Sequence, residues 1–502
     1  MITAVPEKTT DVLIVGAGPT GLMAALVLAH AGVRAEIIDP KPGPTRESRA
    51  LGVQARSMEL YAQLGLVDQV VAGSTTAAAL QLGWQDRPGR RVELTFLQQR
   101  VSDYPGLHVF EQSRNETLLY EALRARDREV RWGDRLVDLT VESDGVRVLT
   151  DHDGELSRVN ARWCIGADGA TSMVRRQLDV PFDGVTDPGR FWVADVRQVR
   201  GLPDDVINLR FGTDDLLLSF PLGPGGHHRL LGVVGDAEPT AESVLPGVTT
   251  TYGISYGEID WFAHYRVHHR VAARFRQGPV FLAGDAAHVH SPVGGQGMNT
   301  GLQDAHNLAL AIADVVAGRT DPSGDELRLD RYQTERRPVA RHLVDLTDRA
   351  FTLMSGRGGV RGVIRRQFAT GLAPLVATVV PRLPARSRFG GYLGQTRIRY
   401  PMPSSDDPVV GRRLPPAGDN HALLADFGWQ LHRYGGTRQA GRDSADGIPG
   451  WLGEPHQLPA DPTGRLQPDR TYLVRPDGFV AASAAIGDGS AIATALAQHG
   501  LR

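Results

Sequence analysis

Asp11-Val12-Leu13-Ile14-Val15-Gly16-Ala17-Gly18-Pro19-Thr20-Gly21 is the stretch on which the fold turns. Residues 11–15 form a short, mostly apolar and β-branched run, the pattern of a buried parallel strand. The glycines break it. Residues 22–31, rich in Ala and Leu, read as a helix ended by Gly32, and 35–38 as a second strand closing on Asp39. Strand, glycine turn, helix and strand make a βαβ unit. Gly16 permits the tight turn, Gly18 lets backbone approach a pyrophosphate, and Gly21 allows close helix–strand packing. The helix N-terminus faces the phosphates. Asp39, about twenty residues on, is placed to take ribose hydroxyls. A bare G-x-G-x-x-G match is weak, but this setting makes Gly16, Ala17, Gly18, Pro19, Thr20, Gly21, Asp39 and Pro40 a candidate dinucleotide site. It does not separate FAD from NAD.

Outward from that unit the chain is long enough, at 502 residues, for two or three domains. A formal net charge of −2 leaves no field to recruit nucleic acid or an anionic membrane. The single cysteine, Cys164, excludes an intramolecular disulfide and a Cys-X-X-Cys redox pair, and reads as a small buried hydrophobe. Residues 1–10 lack a signal-peptide core, and no apolar run, 372–380 included, reaches spanning length. The expectation is a cytoplasmic protein, monomeric or homodimeric.

Helical patterns cover 58–66 and 118–126, and 136–150 reads as a hairpin about 143–145. From 181 to 271 the style becomes β-rich, with strands at 191–199, 206–211, 216–222 and 229–234, so this block is read as an insert. The α/β pattern resumes at the strand 280–283. Helices follow at 302–316, with one apolar face, and 327–354, with Pro338 as a kink. The stretch 402–419 is the best linker, and strand-like pieces follow at 422–424 and 472–474. The division expected is 1–180 and 272–395 for the dinucleotide-binding domain and its helical connector, 181–271 for a β-rich substrate-binding domain, and 396–502 for a C-terminal domain.

Two further motifs carry chemistry. In Cys164-Ile165-Gly166-Ala167-Asp168-Gly169-Ala170, followed by Ser172 and Arg175, a strand enters an acid–glycine turn and then a basic helix start; alone it resembles any Asp-Gly turn. Val280-Phe281-Leu282-Ala283-Gly284-Asp285-Ala286-Ala287-His288 runs on to Gly294-Gly295-Gln296-Gly297-Met298-Asn299. Asp285 follows a buried strand, where its carboxylate can accept from a sugar-alcohol chain. The glycine loop feeds a helix N-terminus near Met298 and Asn299, which favours negative charge such as that on the pyrimidine side of a reduced flavin.

In this order the three motifs resemble those of the class A flavoprotein aromatic hydroxylases, of the para-hydroxybenzoate hydroxylase fold. The stretch Gly294-Gly295-Gln296-Gly297-Met298-Asn299-Thr300-Gly301-Leu302-Gln303-Asp304-Ala305 is similar to that of the aromatic polyketide hydroxylases of antibiotic pathways, the angucycline and anthracycline type. Tyr472-Leu473-Val474-Arg475-Pro476-Asp477-Gly478 resembles the family's thioredoxin-like C-terminal domain, here without any Cys. The implied fold is α/β: a Rossmann-like FAD-binding domain, an inserted β-sheet substrate domain and that thioredoxin-like domain.

The resemblance also implies site residues. Arg46 and Arg49 match basic residues beside the flavin and its phosphates, Gln112 a contact to the diphosphate and ribityl chain, and Leu136 a backbone contact to adenine. Asp168, Gly169 and Arg175 belong to the second motif, where Arg175 serves both FAD and the passing nicotinamide. Gly284, Asp285, Pro292, Gly295, Gly297, Met298 and Asn299 complete the set. Arg49, Pro292 and Gly295 are the candidate catalytic positions. The implied activity is a monooxygenase that uses FAD, NADPH or NADH, and O2 to hydroxylate a polycyclic aromatic polyketide through a flavin C4a-hydroperoxide. Baeyer–Villiger insertion, an antibiotic-inactivating hydroxylation and a non-catalytic flavin- or substrate-binding protein remain open. Trp192, Phe220 and Trp261 are candidate substrate liners. No metal site is expected: the pairs His227-His228 and His268-His269, and His288 with His290, lack converging ligands. Arg-rich 361–366 reads as a solvated helix face.

Overall fold

β1 (Glu7–Val15), α1 (Pro19–His30) and β2 (Ala35–Asp39) form the expected βαβ unit. The computed structural model describes residues 5–46, 50–95, 102–213, 215–235, 238–291, 295–355, 391, 394–402, 405–435 and 448–502. β1 pairs in parallel with β2 on one side and with β3 (Glu155–Gly166) on the other. Its Val12, Leu13 and Ile14 are fully buried, which is why the run is continuously apolar instead of alternating. β3 pairs in parallel with β4 (Val280–Leu282), and β2 with Val130–Trp132. The hairpin Asp134–Val141 and Val146–His152 extends this sheet from β3. Cys164 is buried at its centre, and burial raises its thiol pKa.

α2 (Ala55–Gln63) and α3 (Gln112–Arg124) start earlier than their apolar periodicity indicates, because polar first turns precede the apolar stripe. α4 (Gly297–Val316) lies against α1, and each residue from Asn299 to Val315 is buried. The single apolar face legible in its sequence is therefore only part of its covered surface. α5 (Pro322–Ser355) runs on through Pro338 as one helix.

The second sheet has eight strands in the order His288–Val289, Glu258–Ala272, Phe182–Arg197, His227–Val234, Leu216–Gly223, Val206–Phe211, Ala79–Trp84, Arg91–Glu93. The expected strands are all present within it. Its last two come from the segment before α3, where the sequence showed no clear alternation. The helix Ala241–Thr250 covers one face, with Leu245 and Val248 packed on Trp192, Ala194 and Leu230.

The tail forms a four-stranded sheet, His456–Leu458, Gln430–Tyr434, Arg470–Val474, Val480–Ala485, with the helix Gly489–Gln498. Two expectations are corrected here. Residues 422–424 belong to a 3-10 helix, Ala422–Asp426, not a strand. Described residues of the supposed linker pack into the tail core, Leu414 fully and Val409, Val410 and Ala417 nearly so. Their Pro and Gly content marks irregular backbone, which here is buried. The stretches 361–366 and 372–380 lie outside the described residues.

A tight constraint of the first glycine turn is at Gly21, where a Cβ would stand 1.8 Å from the Gly16 carbonyl oxygen. That neighbour is backbone and cannot swing away. Gly21→Ala is expected to cost about 2 kcal/mol or more, read as a lower melting temperature of the full chain.

Candidate active site

The three motifs meet at the carboxyl ends of β1, β3 and β4, joined by hydrogen bonds. The N–H of Gly16 donates to Ile38 O at 2.8 Å, that of Ala167 to Val15 O at 2.8 Å, and that of Ala283 to Gly166 O at 2.9 Å. Gly16 has φ +104°, and a Cβ on it would meet Ala167 O at 2.4 Å. Gly284, at φ +59°, and Gly301 each face the Thr20 hydroxyl, which a Cβ on either would approach to 2.5 Å. Thr20 thus sets the approach of α1 to both the Gly284 turn and α4. Gly18 is different: among the described residues a Cβ there would meet nothing within 4 Å, and the same holds at Gly169 and Gly295.

Asp39 is buried, and its carboxylate accepts from the N–H of Ala17 at 2.7 Å and of Lys41 at 2.8 Å. It tethers the first glycine turn to the end of β2. Pro40 beside it is exposed. Asp168 accepts from the N–H of Met173 and Val174. Burial raises its pKa against the hydrogen bonds from Ser172 and those two amides. Arg175 donates to Ala286 O at 2.7 Å and to Ala170 O at 2.8 Å, and its guanidinium lies 3.8 Å from the Phe182 ring centroid. The guanidinium bridges the second and third motifs. Its side chain is nearly buried, so its observed contacts are with the chain itself.

Beneath the Gly284 turn lies Asp304, fully buried. Oδ2 accepts from Gly284 N–H at 3.2 Å and pairs with His288 Nε2 at 2.7 Å; Oδ1 accepts from Arg336 Nε at 2.6 Å. Arg336 also donates to Tyr400 Oη and Thr300 O. His288 is therefore a hydrogen-bonded core residue. Burial alone would raise the Asp304 pKa, but Arg336 and His288 outweigh it and hold the carboxyl below its ordinary value. Neither Asp304 nor Arg336 stood out in the sequence as a pair, because 32 positions separate them.

Among the described residues the first turn of α4 has no side-chain cap. Asn299, fully buried, is spent on scaffolding: Oδ1 accepts from Gln54 N–H at 2.9 Å, and Nδ2 donates to Gly52 O at 2.7 Å and Gly295 O at 2.8 Å. The backbone N–H groups of Gly297 and Met298 begin the helix. Gly295 has φ +60°, which shapes the loop's exit. His290 pairs through Nδ1 with Ser291 O at 2.7 Å, so Nδ1 carries the proton and Nε2 is an acceptor. That Nε2 is buried, has no hydrogen-bond partner among the described residues, and lies 3.4 Å from where a Gly297 Cβ would stand. Burial and the neighbouring His288 push the His290 pKa down to about 4, so the ring is neutral at pH 7. Asp285 is exposed between buried Gly284 and Ala286.

Opposite stands a wall on α3. Glu116, buried, accepts from Lys41 Nζ, Thr45 N–H and Gln112 Nε2. This pins residues 41–45 and leaves Arg46 exposed at the rim. Gln112 is half-buried. Leu136 is buried on the hairpin, where it pairs with Thr150. Arg49 and Pro292 lie outside the described residues.

The large sheet presents one face to this wall. Phe220, Arg229, Asp195 and Trp261 form one cross-strand row. Phe220, Leu218 and Leu222 pack toward Leu51 and Val109, while Arg229 clasps Asp195 and reaches Glu111 at 3.4 Å. Trp192 is the correction. Strand alternation turns it to the other face, under the helix Ala241–Thr250, where Gly232 makes room for its ring.

Residues 9–226 and 235–347 match the model of the FAD binding domain family, and the chain belongs to that family. It is 34% identical over 386 residues to 6-methylpretetramide 4-monooxygenase of Streptomyces rimosus, covering 75% of this chain and 68% of the relative. It is 36% identical over 504 residues to rifampicin monooxygenase of Streptomyces venezuelae, covering 94% of each. Among solved structures it is similar to the anhydrotetracycline hydroxylase OxyS from Streptomyces rimosus, with a TM-score of 0.78, 28% identity and coverage of 98% of this chain and 99% of that one. The protein is a flavin-dependent monooxygenase of the aromatic hydroxylase fold. Among the described residues no helix is long and apolar enough to cross a membrane.

Replacing Asp304 strands the Arg336 charge. Asp304→Asn is expected to cost about 3 kcal/mol or more at pH 7, measured by denaturant unfolding. The folded carboxyl titrates below its ordinary 3.8. Its contribution is therefore full above that value and lost as pH falls through the folded pKa. The wild-type–mutant difference should shrink as pH falls below 3.8.

Proposed function

We propose that this cleft holds FAD and that the enzyme hydroxylates a polycyclic aromatic substrate of polyketide type, with NADPH or NADH as the transient reductant and O2 as the oxygen source. The observation that carries the substrate class is the joint one: full-length similarity to enzymes named for rifampicin and tetracycline precursors, and an apolar sheet face of Leu218, Phe220 and Leu222 turned toward Leu51 and Val109. The residues fit the cofactor on chemical grounds. Gly18 and Gly169 offer backbone bare of side chain where a diphosphate needs close approach. Asp285 offers a carboxylate to ribityl hydroxyls. The first turn of α4, without a side-chain cap among the described residues, offers N–H donors to the electron-rich pyrimidine edge.

FAD, once bound and reduced, supplies the oxygen-activating chemistry. The chain's part is to bind, orient and exclude water. The N–H groups of Gly297 and Met298 stabilise negative charge where they point. Asn299 and Glu116 hold the two loops that border the cleft. Phe220, Leu218 and Leu222 offer fused rings an apolar bed, and Trp261 with the Arg229–Asp195 pair marks its polar end. Gly295, together with Arg49 and Pro292, is assigned the catalytic role that the family resemblance implies. In this reading the enzyme works in the cytoplasm. One full-length relative is named for rifampicin, so oxidation of a finished antibiotic is the second reading.

The test is a panel of fused-ring polyketide phenols, quinones and rifampicin, scored for stimulated NADPH oxidation and for product mass. A polycyclic phenol that accelerates oxidation and gains one oxygen is the expected result. No stimulation by any aromatic compound, from a protein that binds FAD, would contradict it. Asp285→Ala should weaken FAD binding by roughly tenfold, about 1.4 kcal/mol, in a fluorescence titration. Its melting temperature without FAD separates weaker cofactor binding from a loss of the fold.

A further inference from the structure

The motif Arg475-Pro476-Asp477-Gly478 has no part in the cleft, yet the chain buries it. Asp477 and Arg475 are almost inaccessible, and Arg475 donates to both oxygens of Glu335 on α5. Asn307 on α4 donates to Glu335 and to Asp477. The strongest grip falls on α2. Arg56, Glu59 and Gln63 recur at helical spacing, so they share one face, and all three are buried. Each bonds to the C-terminal domain: Arg56 to Asp477 O, Glu59 to Arg413 Nη1, and Gln63 Nε2 to Leu424 O and Pro476 O.

The rest of α2 leads to the first turn of α4 by two routes. At its N-terminus Gln54 N–H donates to Asn299, whose amide also holds Gly295 O. In its body Tyr61 Oη donates to Asn115 Oδ1, and Asn115 Nδ2 reaches Met298 Sδ at 3.2 Å. Tyr61, Asn115 and Asn299 are fully buried. A buried polar chain of this kind has few alternative arrangements, since each broken bond leaves an unsatisfied group.

We propose that the C-terminal domain is a positioning element of the flavin site: gripping α2 through Arg56, Glu59 and Gln63, it sets the first turn of α4 through Asn299 and Met298. The proposal rests on the reading that this turn receives the flavin pyrimidine edge. Arg56, Gln63, Tyr61 and Asn115 are then positioning residues that touch neither cofactor nor substrate.

The test uses the full-length protein and FAD, so it does not wait on the substrate. Arg56→Met should weaken FAD binding by roughly tenfold and change the visible circular dichroism of the bound flavin. Arg56→Lys, which keeps a donor near Asp477 O, should restore much of both. A folded Arg56→Met protein with unchanged FAD affinity and unchanged flavin dichroism, whatever its melting temperature, overturns the proposal. Should Arg56→Met fail to fold, Tyr61→Phe decides: it removes one hydroxyl and should weaken FAD binding by about threefold with altered dichroism, and no change in either overturns the proposal. A wild-type protein that takes up no FAD would instead strike at the site assignment itself.

Discussion

The buried carboxylate of Asp304 is the point on which the cleft depends. It sits on α4, accepts the Gly284 N–H, pairs with His288, and is neutralised by Arg336 of α5. Three elements far apart in sequence are thereby fixed at one atom group. A buried charge pair of this sort adds little net stability over an apolar replacement, but losing one partner is costly. What it secures here is register: the third glycine turn is held over the N-terminus of α4, and Thr20 of α1 fills the remaining gap. In the proposed reading the first-turn N–H groups of α4 and the Gly18 backbone serve one bound cofactor.

From that geometry the division of labour follows. The parallel sheet and its turns present backbone and small residues to a phosphate-bearing cofactor. The large sheet presents Leu218, Phe220 and Leu222 on one face and encloses Trp192 on the other. Its two outer strands, Ala79–Trp84 and Arg91–Glu93, come from the segment before α3, so this edge of the sheet and Gln112 are carried by neighbouring chain. The C-terminal domain, without cysteine, meets α2, α4 and α5 through buried ion pairs and amides.

Much of this was legible in the sequence, for a physical reason. The βαβ unit, the strand 280–282 and α4 are specified by local patterning, because parallel strands need apolar runs and tight turns need glycine. The glycine and acid motifs likewise carry their chemistry within a few residues. Trp192 was misplaced because one aromatic in a strand does not say which face its sheet turns to the cleft. The strands at 79–93 were missed because they are half-exposed and weakly alternating. Asp304–Arg336 and Arg475–Glu335 were invisible as pairs, since a long-range ion pair leaves no mark in local spacing. The stretch 402–419 shows the converse: turn-forming composition with a buried fate.

The central claim is that the N-terminus of α4 faces the negative edge of the flavin. The measurement that bears on it most directly is the absorption spectrum of the chemically reduced FAD-loaded protein across pH. A helix N-terminus favours the anion, so the bound reduced flavin should stay anionic to a lower pH than free reduced FAD in the same buffer. Protonation of the bound flavin at the same pH as the free one, or at a higher pH, would contradict the account.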